Sequence, residues 1–356
     1  MGILICIDAL LVPFTVLPLK LALVAARRPR ASAHISVGEV KLALLMASVV
    51  ALLSWIDASW LYHAIRAQST LKLYVLFNVC EVMDKLLVSF GLDLLDCVMC
   101  GGEDGDAGLL YLPIAALYTF IHAVLLLYQV ITLNVAVNSH GNAVLTLLVS
   151  NQFMELKSAV FKRFDRDSLF TLATADIVER VQLGVFLCII FLRNGGEMGL
   201  WGYWMSGNWA ALQSLCSSSM FWERLLNPIV MVFVSEFIVD AFKHAFIVKS
   251  NRFTPHAYRH FRTSLLADLD STSTSAVARR IGFSSLPLAC LGLKFFVKGL
   301  NCSHWLFVLN SWLIVMFFKN AIGAILTRLS KRVSKPSVEN ECSDAIGPAN
   351  ETSFTT

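Results

Sequence analysis

Twenty-five consecutive residues, Leu109 to Leu133, carry no formal charge. About 20 mostly apolar residues carry an α-helix across a hydrocarbon core ~30 Å thick, so this run is long enough to cross a membrane. The rest of the chain agrees. Soluble domains hold roughly 25% charged residues, whereas this 356-residue chain holds 15% and is 56% hydrophobic. It has too few polar side chains to cover a water-exposed globule, so much of its surface must face lipid. A soluble nucleic-acid-binding domain is not expected on the same ground, nor is a nucleic-acid partner. Lipid cannot satisfy backbone polar groups, and a run of this length satisfies its own only as a helix. The expected fold is an all-α polytopic transmembrane bundle.

Gly299 to Phe318 is a second uncharged stretch, closed by Lys319, which is expected to snorkel to the interface. Four further segments are long enough but carry polar groups: Leu42 to Ile65 with Asp57; Leu225 to Val248 with Glu236, Asp240, Lys243 and His244; Ile281 to Val297 with Lys294; and Ile3 to Leu19 with Asp8 and two prolines. Ionised groups at that depth must face protein, water or headgroups, so these read as spans inside a bundle. Val181 to Leu192, bracketed by Arg180 and Arg193, crosses only by borrowing the turns before it. Six or seven spans result, with residues 1–330 forming one integral membrane domain and 331–356 a disordered cytosolic tail. The first segment ends in Val24-Ala25-Ala26 like a signal sequence, but no basic n-region precedes it and Lys20 interrupts it, so it is read as a retained span. Met1-Gly2 lacks the Ser or Thr at position 6 that myristoylation favours.

With seven spans, segments 27–41, 134–176, 249–282 and 327–356 hold 4, 4, 6 and 4 Lys and Arg, against 3, 2 and 0 in the intervening ones. The positive-inside bias makes the first group cytosolic, which puts the C-terminus in the cytosol and the N-terminus outside.

Between the spans, Leu71 to Leu95 repeats apolar residues at spacings of three and four (Leu73, Leu76, Phe77, Cys80, Met83, Leu87, Phe90), with Glu81, Asp84 and Asp93 between them. That periodicity predicts an amphipathic helix lying on the membrane or docked on the bundle. Residues 101–108 form an acidic turn whose Glu103, Asp104 and Asp106 are too few for a calcium loop. Lys157, Lys162, Arg163 and Arg166, beside Phe153, Phe161 and Phe164, make a basic, aromatic patch suited to anionic membrane lipids. Ser271 to Ser275 reads as a flexible connection.

No P-loop, GxGxxG, GxSxG or HExxH motif occurs. Cys97 and Cys100 form a lone CxxC without a second pair, and His256 and His260 lack a third ligand, so neither is expected to hold a metal. No cofactor and no catalytic residues are expected. The segment SEFIVDAFKHAF carries more chemistry. Glu236, Asp240 and His244 are spaced i, i+4, i+8 on one helical face, with Lys243 beside them. Carboxylates so close inside a bundle resist joint ionisation unless Lys243, His244 or Arg180 neutralises them. The cluster serves either as interhelical glue or as a path for protons or cations. Asp176, Glu179 and Arg180 in ADIVERVQL make a second polar set open to the same two readings.

Six ordered stretches between about residues 3 and 330 carry a resemblance: ICIDALLVPFTVLPLK, WLYHAIRAQSTLKLYVLFNVCEVMDKLLVSFGLDLLD, TLNVAVNSHGNAVLTLLVSNQFMELKSAVFKRF, ADIVERVQL, SEFIVDAFKHAFIVKSN and AVARRIGFSSLPLA. Through them the chain resembles the transmembrane anterior posterior transformation protein family of eukaryotic polytopic membrane proteins. The resemblance implies an endoplasmic reticulum or nearby secretory membrane. It implies a non-enzymatic role in folding quality control, trafficking, or cilium and basal-body assembly, and a SUN-domain-like membrane partner. The hydrophilic N-terminal extension usual in the family is absent ahead of the first hydrophobic segment here. The expected function is a membrane scaffold; the alternative is an ion or solute transporter using the Glu236, Asp240 and His244 face.

Overall fold

The computed structural model describes residues 1–25, 37–100, 107–138, 166–251, 256–299 and 305–345. Every regular element among them is helical. In order they are α1 (Gly2–Ala25), α2 (Val37–Ser54), α3 (Ala58–Arg66), α4 (Thr70–Cys100), α5 (Ala107–Val137), α6 (Arg166–Glu197), α7 (Leu200–Met205) and α8 (Trp209–Cys216). α9 (Ser219–Ser250) follows, with a π turn at Trp222–Leu226. The last four are α10 (His256–Ser271), α11 (Thr274–Arg280), α12 (Ser285–Gly299) and α13 (Trp305–Ala345).

Four helices are long and apolar enough to cross a membrane unaided, within α1, α5, α9 and α13, and the total reaches six if each of two bent pairs is one span. α5 holds the uncharged run and sits at the centre, packed against α2, α3, α4, α6 and α12. Ala115, Ala123, Leu127 and Ile131 on it are fully buried.

The segment expected to run unbroken from Leu42 to Ile65 is bent by 55° between α2 and α3. Asp57 sits at the break and accepts from the Ser59 backbone N–H at 3.1 Å, capping α3. A break in lipid exposes carbonyls that need donors. Lys294 on α12 supplies one, its buried Nζ donating to Ile56 O at 2.9 Å. The two charged residues that looked out of place in their spans therefore repair one helix break. A second bend, of 110°, separates α11 from α12, where Gly282 has φ +90°, a backbone region open to glycine.

Of the last expected span, residues 300–304 lie outside the described ones; within α13 the stretch Leu309–Lys331 is long and apolar enough to cross a membrane. Lys319 does not end it by snorkelling: its Nζ lies 3.4 Å from Asp8 Oδ1 on α1, and this ion pair lets the helix carry a charge inside the bundle. α13 continues to Ala345, and residues 346–356 lie outside the described ones. The Ser271–Ser275 stretch is a helix junction, where Ser273 Oγ caps α11 by accepting from the Ala276 N–H at 3.3 Å.

Pro18 lies inside α1 and lacks the N–H that Phe14 O would otherwise accept. Trp312 on α13 fills the gap, its Nε1 donating to that carbonyl at 3.1 Å. Trp312→Phe should lower stability by about 1–3 kcal/mol, the cost of an unsatisfied buried carbonyl. Thermal melting in detergent checks it against Pro18→Ala/Trp312→Phe, which restores the α1 donor and should recover most of the loss. No recovery would mean that the indole matters only as bulk.

The candidate polar site across α4, α5, α6 and α9

The expected amphipathic helix forms as α4, but its buried stripe runs through Leu73, Cys80, Asp84, Gly91 and Val98, while Met83 and Phe90 are exposed. The face is rotated from the one that hydropathy selects because Asp84 has partners in the bundle. Its Oδ1 lies 2.7 Å from His122 Nε2 on α5, and its Oδ2 accepts from Gln182 Nε2 on α6 at 2.8 Å. His122, 1% exposed, meets Tyr118 Oη through Nδ1 at 2.9 Å, and Tyr118 Oη donates to Leu87 O at 2.6 Å. This four-residue cluster ties three helices together. The sequence held one signal for it: His122 is the titratable imidazole in an otherwise uncharged run.

The two polar sets read from the sequence meet as one. Arg180 Nε donates to Asp240 Oδ2 at 2.5 Å, and Lys243 Nζ lies 3.2 Å from Asp240 Oδ1. Lys243 Nζ also donates to Asp176 Oδ1 at 2.7 Å, and His244 Nε2 lies 2.8 Å from Asp176 Oδ2. Both aspartates and Lys243 are buried. Spacing explains the alternation, since Asp176 and Arg180 are one turn apart on α6, as are Asp240 and His244 on α9. Lys243 bridges the carboxylates, so each lies beside a cation. Glu179 turns the other way, its Oε1 2.9 Å from Lys85 Nζ on α4. Glu236 is half-buried one turn before Asp240.

α6 therefore joins α4 on one side to α9 on the other. A third polar knot joins it to α5, where Asn194 Nδ2 donates to Asn134 Oδ1 at 3.0 Å. Of the basic patch, Lys157, Lys162 and Arg163 lie outside the described residues, and Arg166 opens α6. Cys97 is exposed and unpaired. His256 and His260 fall in the first turns of α10. Among the described residues no group of three His, Cys, Asp or Glu is placed to hold a metal.

Chemically, the arrangement holds opposite charges in place. A cation moving along the Asp240 and His244 face has to displace Arg180 or Lys243 from Asp240, or Lys243 from Asp176. Charge-assisted hydrogen bonds in low dielectric make such displacement costly.

The model of a eukaryotic membrane protein family matches residues 33–335. The chain belongs to this family. Its curated relatives include transmembrane anterior posterior transformation protein 1 of Mus musculus, 34% identical over 348 residues, covering 90% of this chain and 58% of the relative. Endoplasmic reticulum membrane protein 65 of Schizosaccharomyces pombe is 41% identical over 273 residues, covering 70% of this chain and 40% of the relative. The protein of the same name in Saccharomyces cerevisiae is 38% identical over 306 residues, covering 80% and 53%. The chain thus spans roughly half the length of these relatives. No solved structure matches it. Family membership and the four to six candidate spans agree on an all-α polytopic membrane protein.

Proposed function

We propose that the chain is a non-enzymatic scaffold of the endoplasmic reticulum membrane that serves folding quality control, trafficking or ciliary and basal-body assembly by holding a membrane partner. A SUN-domain-like membrane protein is the first candidate partner. The yeast relatives' names support the compartment. One structural observation carries the scaffold reading. The α13 span is only 6% buried within the chain and the α9 span 22%, against 56% for α5. Their apolar sides, Phe242 and Phe246 on α9 and Leu313, Phe317 and Phe318 on α13, are open to lipid or to another protein's helix. Behind them the ionised groups are paired internally, which suits a rigid support.

Affinity purification of the full chain from native membranes, read together with proximity labelling, tests this. A SUN-domain-like or folding-machinery protein should be recovered reproducibly, in an endoplasmic reticulum setting. Repeated recovery of the bare chain would overturn the scaffold reading. A cytosolic C-terminus is part of the proposal and has its own check. Asn350-Glu351-Thr352 is a glycosylation sequon. Asn350 should remain unglycosylated, so endoglycosidase treatment should leave that tail's mass unchanged; a glycan there inverts the topology.

A further inference from the structure

Between α6 and α9 lies a cavity of about 340 Å³ whose lining includes Gly184, Leu187, Cys188, Phe191, Ile229 and Phe233. Its volume falls within the ~300–1,000 Å³ range of ligand pockets. A Cβ added at Gly184 would meet nothing within 4 Å, so the space over that residue is open. One turn earlier on α6 stands Arg180, and one turn later on α9 stands Phe237. The Arg180 guanidinium carbon lies 5.3 Å from the Phe237 ring centroid, so a cation and an aromatic ring close that end of the groove. Arg180 Nε donates to Asp240, and its side chain stays 21% exposed.

The sequence of α6 agrees with this layout. Its uncharged stretch Val181–Leu192 starts directly after Arg180, so the groove lies along the apolar part of the helix and Arg180 stands at its polar end.

We propose that this groove holds one acyl chain of a membrane phospholipid whose phosphodiester is gripped by the Nη edge of Arg180. A planar guanidinium fork matches phosphate oxygens. Asp240 holds the guanidinium through Nε and offsets part of its charge, so recognition rests on directed hydrogen bonds and extends to zwitterionic headgroups. A partner's transmembrane helix, about 10–12 Å across with its side chains, is too thick for a cavity of this size. The inference stands independently of the scaffold reading.

Native mass spectrometry of the full chain released from nanodiscs tests it, with phosphatidylcholine and a diacylglycerol of the same chains as probes. One phosphatidylcholine should be retained, and the diacylglycerol at least tenfold less. Gly184→Leu, which fills the groove, should reduce phosphatidylcholine retention about tenfold with thermal melting unchanged. Equal retention of the two probes, or unchanged retention by Gly184→Leu, overturns the proposal. If that variant does not assemble, phosphatidylcholine carrying a mid-chain diazirine decides the matter on the wild-type chain. Crosslinks concentrated at 184–191 and 229–233 support the site, and crosslinks spread evenly over α13 and the Phe242–Phe246 side of α9 refute it.

Discussion

Lys243→Ala should destabilise the bundle by about 3–5 kcal/mol, the range for removing one partner of a buried ion pair. The lysine bridges Asp176 and Asp240 at 2.7 and 3.2 Å, and its loss leaves two buried carboxylates sharing Arg180 and His244. Thermal melting of the purified chain in detergent reads the loss. Asp176→Asn should relieve part of it, because one uncompensated carboxylate then disappears. The double variant should therefore be more stable than the sum of the single changes implies. A strictly additive pair would show that Lys243 and Asp176 do not interact, and the joined cluster would have to be redrawn.

Gly91→Ala should cost about 3 kcal/mol, the upper end of ordinary overpacking. A Cβ there would fall 1.8 Å from Tyr118 Oη and 2.3 Å from its Cζ. The ring cannot easily swing away, because its hydroxyl donates to Leu87 O and meets His122 Nδ1. α4 must then lift from α5, which loosens the Asp84–His122 contact as well. In a Tyr118→Leu background the same substitution should cost less than about 1 kcal/mol, since the clashing atoms are gone. An equal penalty in both backgrounds would place the strain elsewhere in α4.

Much of the architecture could be read directly from the residues. The uncharged run from Leu109 to Leu133 falls inside α5, and Leu225 to Val248 inside α9. The i, i+4 spacing puts Asp240 and His244 one turn apart on α9, and Arg180, four residues after Asp176 on α6, reaches Asp240. What escaped was anything that depended on a neighbouring helix. Hydropathy puts Asp84 on the polar side of α4, and only His122, 38 positions away, and Gln182, 98 away, make its burial tolerable. Lys319 was expected at the interface until Asp8 offered it a partner inside. The break at Asp57 was hidden because Lys294, 238 positions from Ile56, supplies its donor.

The sequence by itself determined the solvent and the helical class. Hydropathy adds up locally along the chain, and hydrocarbon leaves a crossing segment no choice but to satisfy its own backbone. Tertiary structure alone decided which charges are compensated and which face of each helix turns inward. A buried charge is stabilised by a pair of residues, and the pair exists only once two helices have been brought together at one depth and rotation.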